Sequence, residues 1–326
     1  MPFELHPGVG AALAHDIASR RAQLDVYVRP SANNDHLLTT NSFFSGLAHG
    51  QPAIPDVTTQ DFTTTAPDGH QLLLRWFTKT GAPAAPPSGG PAIFYSHGGG
   101  MIALSLKHYD QVLKRYVSRT GVPFLAIEYR LAPEVQAPIP VTDAYAGLRW
   151  LHAHASELNV DPTRIAIAGD SAGGGITASL AHYIKLQGGP RVSKQILIYP
   201  MLDDRNTTPD PLIAPFATWS TDDNITGWTA LLGKDRVGTE DVSVIEAAGR
   251  MTPADARGLP PAYIDVGELD LFRDEDLEYA RNLGKGGVSC ELHLVPNVPH
   301  AYEGFAPESD VARFIMDKRE QVFKSI

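Results

Sequence analysis

The sequence predicts an α/β protein with a mostly parallel central sheet. Eight short apolar runs have strand character, at residues 57–65, 71–78, 92–96, 123–128, 164–168, 194–199, 261–266 and 289–295. From the third run onwards they alternate with helical patterns near 107–119, 141–156, 172–187 and 274–284. That alternation is typical of a parallel sheet flanked by helices on both faces. The first two runs flank Asp68-Gly69, a dipeptide suited to a hairpin turn, so we expect an antiparallel start.

The composition is that of a single globular domain over residues 1–326. Hydrophobic residues make up 43% of the chain and charged residues 20%, values far from those of disordered proteins. A net charge of -10 without a basic run argues against nucleic acid as a partner. The sequence has neither a membrane-span nor a signal-peptide pattern, and the single cysteine, Cys290, excludes an internal disulfide. We therefore expect a cytoplasmic protein.

One interval interrupts the alternation of strands and helices. The stretch between Pro200 and Pro261 contains prolines, aspartates and aromatic residues but no strand pattern. A structureless connection of that length is unusual, so we expect a small helical insertion there.

The segment Gly169-Asp170-Ser171-Ala172-Gly173-Gly174 follows a strand and precedes a helix. This is the setting of the G-x-S-x-G motif, in which a sharp turn exposes a nucleophilic serine above the sheet. Ser171 is thus a candidate nucleophile, with an ordinary helix N-cap as the alternative role. A phosphate-binding loop is disfavoured, because the spacings G-x-x-x-x-G-K-[ST] and G-x-G-x-x-G are missing.

A second glycine-rich loop, His97-Gly98-Gly99-Gly100, follows the strand that ends at Ser96. Loops of this HGGG type supply backbone N–H groups to an oxyanion hole. We expect the amides of Gly99, Gly100 and Ala172 to form that hole. A flexible glycine turn is the alternative, and we expect the His97 side chain to order the loop.

The remaining candidates follow from the chain order of such sites, which is serine, acid, histidine. Asp270 lies a few residues after the strand 261–266, and we prefer it to Glu268 as the acid. His300 lies on the loop after the last strand and is the candidate base. In that arrangement His300 takes the proton of Ser171 while Asp270 orients the imidazole.

Four segments together resemble the hormone-sensitive-lipase family of esterases, over roughly residues 90–305. They are His97-Gly98-Gly99-Gly100, Glu128-Tyr129-Arg130-Leu131-Ala132-Pro133-Glu134, Gly169-Asp170-Ser171-Ala172-Gly173-Gly174 and Asp270-Leu271-Phe272-Arg273-Asp274-Glu275. The resemblance implies the α/β-hydrolase fold and carboxylesterase activity on short- to medium-chain esters without a cofactor. It also implies a helical cap formed by about 1–52 and 203–250, over a catalytic core of about 53–202 and 251–326.

Three departures from the family pattern affect the expected substrate pocket. Met101-Ile102-Ala103 follows the HGGG loop, Leu271-Phe272 follows the acid and Ala301-Tyr302 follows the base. None of them removes a catalytic atom. We expect Met101, Phe216 and Trp219 to contact substrate, although aromatic residues of a cap are individually more often core.

Two alternative functions remain open from the sequence. A small-ligand-binding protein could use the same fold, and a serine hydrolase could act on lactone, carbamate or amide bonds instead of esters. A metal enzyme is disfavoured because the H-E-x-x-H pattern is missing. The last strand would be an exposed sheet edge, which makes a homodimer through that strand plausible.

Overall fold

Eight strands form one sheet in the computed structural model, which describes residues 3–13, 53–82 and 86–326. The strands are β1 (Val57–Thr65), β2 (Gln71–Lys79), β3 (Gly90–Ser96), β4 (Phe124–Ile127), β5 (Val160–Asp170), β6 (Gln195–Ile198), β7 (Ala262–Gly267) and β8 (Cys290–Val295). Their order across the sheet is β1-β2-β4-β3-β5-β6-β7-β8. The pairs β1–β2 and β2–β4 are antiparallel, and the other pairs are parallel. The predicted sheet is therefore confirmed, including its antiparallel start.

Helices lie between the parallel strands and after the last of them. They are α1 (Leu106–Thr120), α2 (Ile139–Ala153), α3 (Ala172–Gln187), α4 (Thr221–Leu232), α5 (Pro253–Ala256), α6 (Arg273–Lys285), α7 (Tyr302–Phe305) and α8 (Asp310–Lys324). The four helices predicted between strands correspond to α1, α2, α3 and α6. Residues 7–13 are also helical, and Val9 in this stretch packs in one apolar cluster with Val298 and Ile315.

The central strand β5 has a continuously apolar stretch, Ile165-Ala166-Ile167-Ala168, because both of its faces are covered. Ile165 and Ile167 face one core cluster, which includes residues of α2 and α3. Ala166 and Ala168 point to the opposite face, into a cluster that includes residues of α1 and α8. Successive side chains of a strand alternate between the two faces of the sheet. Helices on both faces therefore bury every position from Ile165 to Ala168, which removes the apolar–polar alternation of a half-exposed strand.

The hairpin between β1 and β2 is closed by Asp68 and Gly69, as predicted. Gly69 has φ 89°, a left-handed conformation that glycine adopts without steric cost. Asp68 accepts a hydrogen bond from the backbone N–H of His70 over 3.2 Å. Its other carboxylate oxygen accepts a 2.6 Å hydrogen bond from Arg130, which is also paired with the buried Asp143 of α2. The hairpin is thus fastened to the parallel part of the fold.

The insertion after β6 contains α4 and the 3-10 turns Ala214–Phe216 and Ala248–Arg250, with irregular segments between them. The helix α4 begins with a capping box in which Ser220 and Asp223 satisfy each other's backbone N–H groups. The irregular part is held by side chains. The buried Asp204 accepts two hydrogen bonds from Arg250, at 2.7 and 2.8 Å, and one from the N–H of Gly238.

A buried cation joins the last helix to the sheet. Arg319 of α8 is fully buried and donates two hydrogen bonds to Asp265 of β7, over 2.9 and 2.6 Å. A third hydrogen bond, of 2.5 Å, runs from Arg319 to Glu303 in α7. Removing one partner of a buried ion pair leaves the remaining charge without compensation.

We predict that Arg319→Met lowers the free energy of unfolding by about 3–5 kcal/mol, because Asp265 and Glu303 then lose their buried counterion. Urea unfolding followed by circular dichroism measures the change. Arg281→Met is the matched control, since Arg281 forms an exposed pair with Glu278, and we expect little change. Equal stability of wild type and Arg319→Met would contradict this account of the helix anchor.

Candidate active site

The three predicted side chains meet at the carboxyl edge of the sheet. Ser171 directly follows β5, Asp270 lies in the loop after β7, and His300 lies in the loop after β8. Parallel strands end at the same edge of a sheet, and ligands of open α/β sheets bind there. Residues far apart in sequence are therefore brought into one site.

The turn at Ser171 is the strained strand-to-helix turn that the motif predicts. Ser171 has φ 54° and ψ -123°, an unusual conformation for a non-glycine residue. Its backbone N–H donates to the carbonyl of Ile198 over 2.9 Å, which holds the turn against β6. A Cβ atom at Gly173 would overlap the carbonyl oxygen of Ser96. Glycine at 173 therefore lets α3 approach β3 closely enough to form the turn.

Hydrogen bonds connect the three side chains in the expected order. Ser171 Oγ lies 3.0 Å from His300 Nε2, and His300 Nδ1 lies 2.7 Å from Asp270 Oδ2. All three side chains are buried or nearly so, with Asp270 fully shielded from solvent. Asp270 Oδ1 accepts a further hydrogen bond from the N–H of Phe272 over 3.0 Å, which fixes the carboxylate.

Two aromatic rings enclose the imidazole of His300. The ring of Phe272 meets it edge-on with centroids 5.0 Å apart, and the ring of Tyr199 does so at 4.6 Å. Tyr199 has φ 35°, a strained backbone conformation for a tyrosine. The imidazole is therefore fixed by packing as well as by its hydrogen bond to Asp270.

The HGGG loop depends on glycine at the positions expected to form the oxyanion hole. Gly99 has φ 118° and Gly100 has φ 63°. Among the residues that the structure describes, no protein acceptor pairs with the N–H groups of Gly99, Gly100 or Ala172. These three amides could thus donate to the oxygen of a substrate.

His97 orders the loop, in line with its expected role. Its ring is fully buried and stacks on Tyr129 with centroids 4.3 Å apart, and Nδ1 lies 2.7 Å from the carbonyl oxygen of Gly98. Burial lowers the pKa of His97 to about 4, so the side chain is neutral at neutral pH. A neutral, buried imidazole suits packing better than proton transfer with substrate.

A buried carboxylate connects the turn at Ser171 to the HGGG loop. Asp170 accepts hydrogen bonds from Tyr95 over 2.8 Å and from Tyr109 over 2.5 Å. The hydroxyl oxygen of Tyr109 in turn accepts the N–H of Gly98 over 2.9 Å. Burial raises the pKa of Asp170, although both tyrosine hydrogen bonds oppose that rise. The turn and the loop are therefore held at a fixed separation.

Comparison with known proteins places this arrangement in a family. The sequence profile of the alpha/beta hydrolase fold family matches residues 93–304. The esterase LipI of Mycobacterium tuberculosis strain H37Rv is 31% identical over 261 residues, which span 78% of each chain. This chain belongs to the hormone-sensitive-lipase family of carboxylic ester hydrolases. Carboxylesterase NlhH of the same organism is 36% identical over 227 residues, covering 66% of this chain and 67% of NlhH.

Solved structures agree with the family assignment. A bacterial heroin esterase superposes with a TM-score of 0.85 at 30% sequence identity, covering 98% of this chain and 97% of that one. The protein therefore has the α/β-hydrolase fold expected from its sequence motifs. In the described ranges, which omit 1–2, 14–52 and 83–85, no helix has the length and apolar character needed to cross a bilayer. Over the same ranges, no three His, Cys, Asp or Glu side chains are grouped to bind a metal ion.

Two of the three predicted pocket residues of this family member lie against the HGGG loop. Met101 follows the loop directly and lines a small, largely apolar cavity together with Ala137, Pro138, Pro140, Val141, Ile176, Ser179, Leu231 and Glu246. Trp219 packs on Gly100, where an added Cβ atom would lie only 2.5 Å from the indole ring. Phe216 is half-buried on the 3-10 turn Ala214–Phe216, two residues before Thr218.

The sequence analysis did not identify Glu303 and Arg319, a charged pair that is linked to the site through Tyr199. Tyr199 donates a 2.6 Å hydrogen bond to Glu303, which also pairs with Arg319. Burial alone would raise the pKa of Glu303, but the attraction of Arg319 and the hydrogen bonds outweigh it and hold the pKa below its usual value. The sequence feature that could have pointed to this group is the position of Glu303, three residues after His300. No local sequence pattern connects Arg319 or Tyr199 to His300.

Proposed function

We propose that this protein is a serine carboxylesterase for short- to medium-chain esters, with Ser171 as nucleophile, His300 as base and Asp270 as orienting acid. The observation that carries the proposal is the hydrogen-bonded chain from Asp270 through His300 to Ser171. It lies beside the amides of Gly99, Gly100 and Ala172, which have no acceptor among the described residues. Family membership supplies the ester as substrate class. LipI and NlhH are named as an esterase and a carboxylesterase, respectively.

The proposed reaction has two steps through an acyl-enzyme. Ser171 Oγ attacks the ester carbonyl while His300 Nε2 accepts its proton, and the imidazolium then protonates the departing alcohol. Water, activated by the same imidazole, afterwards releases the acid. The negative charge on the carbonyl oxygen is stabilised by N–H donors from Gly99, Gly100 and Ala172, at a helix N-terminus whose dipole also favours the anion.

We further propose that residues 203–250 contribute a cap over this site, together with the N-terminal segment 1–52. Support comes from Trp219, which lies against Gly100 of the HGGG loop. Met101, Phe216 and Trp219 would then limit the length of the acyl chain. Most of the segment 1–52 lies outside the described residues. The cytoplasmic location expected from the sequence stays a prediction.

Two observations favour ester hydrolysis over a purely binding role. All three side chains of the proposed triad are present, and the serine is held in a strained turn that a ligand-binding protein would not need. Hydrolysis of a lactone, carbamate or amide uses the same groups. Lactones, carbamates and amides are therefore the second class of candidate substrates.

We predict that the wild type hydrolyses p-nitrophenyl acetate, butyrate and hexanoate faster than the palmitate ester.

Ser171→Ala should lower kcat by about 10⁴-fold or more on every ester, because the nucleophile is lost. The release of p-nitrophenol measures both effects. Ser193→Ala is the matched control, since Ser193 donates a hydrogen bond to the carbonyl of Ile165 in the middle of β5, six residues before Ser171. Wild-type rates in Ser171→Ala would overturn the proposed nucleophile, and a preference for palmitate would overturn the chain-length range.

We also propose a homodimer through β8, the last strand of the sheet. An edge strand presents unpaired backbone groups, and here Leu292 and Leu294 are also partly exposed, at 37% and 43%. Light scattering should then give a mass near twice 35.2 kDa, and Leu292→Lys/Leu294→Lys should shift it to the monomer. A wild-type mass of one chain at high protein concentration would contradict the proposal.

A further inference from the structure

The insertion after β6 contacts the backbone of the proposed base. Thr218 is buried, and its Oγ1 donates a 2.6 Å hydrogen bond to the carbonyl oxygen of His300, 82 positions later in the sequence. The next residue, Ala301, has φ 55°, so the chain turns sharply immediately after the base. His300 thus belongs to no helix or strand whose regular hydrogen bonds would orient its peptide. The Thr218 hydroxyl provides an orienting contact.

The residue after Thr218 lies against the other side of the site. A Cβ atom added to Gly100 would lie 2.5 Å from the indole of Trp219, which shows how closely the ring covers the HGGG loop. Gly227 of α4 also approaches this loop closely, because a Cβ there would lie 2.8 Å from the carbonyl oxygen of Gly100. Thr218 and Trp219, which are adjacent in the sequence, therefore join the loop of His300 to the HGGG loop.

Polar side chains extend this connection to the loop of the acid. Asn224 accepts the indole N–H of Trp219 over 3.4 Å and donates to the carbonyl of Asn206 over 2.8 Å. Asn206 donates to the carbonyl of Leu271, the residue after Asp270, over 3.0 Å. The insertion thus contacts the loop of His300, the HGGG loop and the loop of Asp270.

We propose that Thr218 is a positioning residue, which holds His300 where its Nε2 can reach Ser171. This inference rests on the proposed function, in which His300 is the base. Asp270, Tyr199 and Phe272 contact the imidazole ring, whereas Thr218 fixes the peptide that carries it. A displacement of a catalytic group by about 1 Å can cost on the order of 10²-fold in rate. Loss of the hydroxyl should therefore slow catalysis without weakening substrate binding.

A purely structural role for the same hydrogen bond makes a different prediction. If the bond only fastened the insertion, its removal would lower Tm while kcat below the transition stayed at the wild-type value. Thr218→Val keeps the shape of the side chain and removes the donor, while Thr218→Ser keeps the donor and removes a methyl group. Comparing these two variants separates the hydrogen bond from packing.

The experiment measures kcat and KM for p-nitrophenyl butyrate, with Tm from circular dichroism. We expect Thr218→Val to lower kcat about tenfold with little change in KM, and Thr218→Ser to remain within about twofold of wild type. Thr120→Val is the control, because Thr120 makes the same kind of hydroxyl-to-carbonyl bond, to Tyr116, at the end of α1 and so at the opposite edge of the sheet from the site. It should leave kcat unchanged.

Wild-type kcat in Thr218→Val would overturn the proposal, and so would equal losses in Thr218→Val and Thr218→Ser. If Thr218→Val does not fold, Thr218→Ala replaces it, with the same loss of kcat expected and the same outcome overturning the inference. Failure of the proposed function is seen separately, as hydrolysis that survives Ser171→Ala. In that case Ser171 would not be the nucleophile whose proton His300 accepts.

Discussion

The hydrogen-bonded chain from Asp270 through His300 to Ser171 depends on three parallel strands that end at one edge of the sheet. One of these residues follows each of β5, β7 and β8, and the close approach of α3 to β3 allows the sharp turn that carries Ser171. The turn costs backbone strain, because Ser171 has φ 54°. Such a conformation persists only where the surrounding packing enforces it.

Much of that packing is polar and buried. Asp170 joins the turn at Ser171 to the HGGG loop through Tyr109, while Arg319 and Glu303 support the loop that carries His300. Glu275 supports the loop that carries Asp270, because it accepts hydrogen bonds from the N–H of Leu202 and from the side chain of Asn206. Burial raises the pKa of Glu275 well above its usual value, although these hydrogen bonds oppose the rise. Each loop of the site is therefore held by a buried charged or polar group rather than by regular secondary structure.

The sequence predicted the features that are encoded locally. Strand and helix positions follow from hydrophobic periodicity, and the hairpin follows from Asp68-Gly69. Ser171 and the HGGG loop stand in glycine-rich motifs, and the order of the chain restricts the choice of Asp270 and His300. The structure brings these three side chains within hydrogen-bonding distance of one another.

Features that depend on distant contacts were not predicted. Thr218 lies in an irregular segment, and nothing in its neighbourhood points to a carbonyl 82 positions away. Arg319 is one of several charged residues in α8, and its burial becomes evident only when Asp265 and Glu303 are in place. The insertion also proved largely irregular, because side chains such as Asp204, rather than backbone patterns, hold it together.

The most direct test of the central claim is covalent labelling with a p-nitrophenyl alkylphosphonate, followed by peptide mass spectrometry. An activated serine displaces p-nitrophenol from such a reagent and keeps the phosphonyl group. The account predicts one phosphonyl group per chain, on the peptide that contains Ser171, and much slower labelling of His300→Gln. A phosphonyl group on a different residue, or labelling of His300→Gln at the wild-type rate, would contradict it.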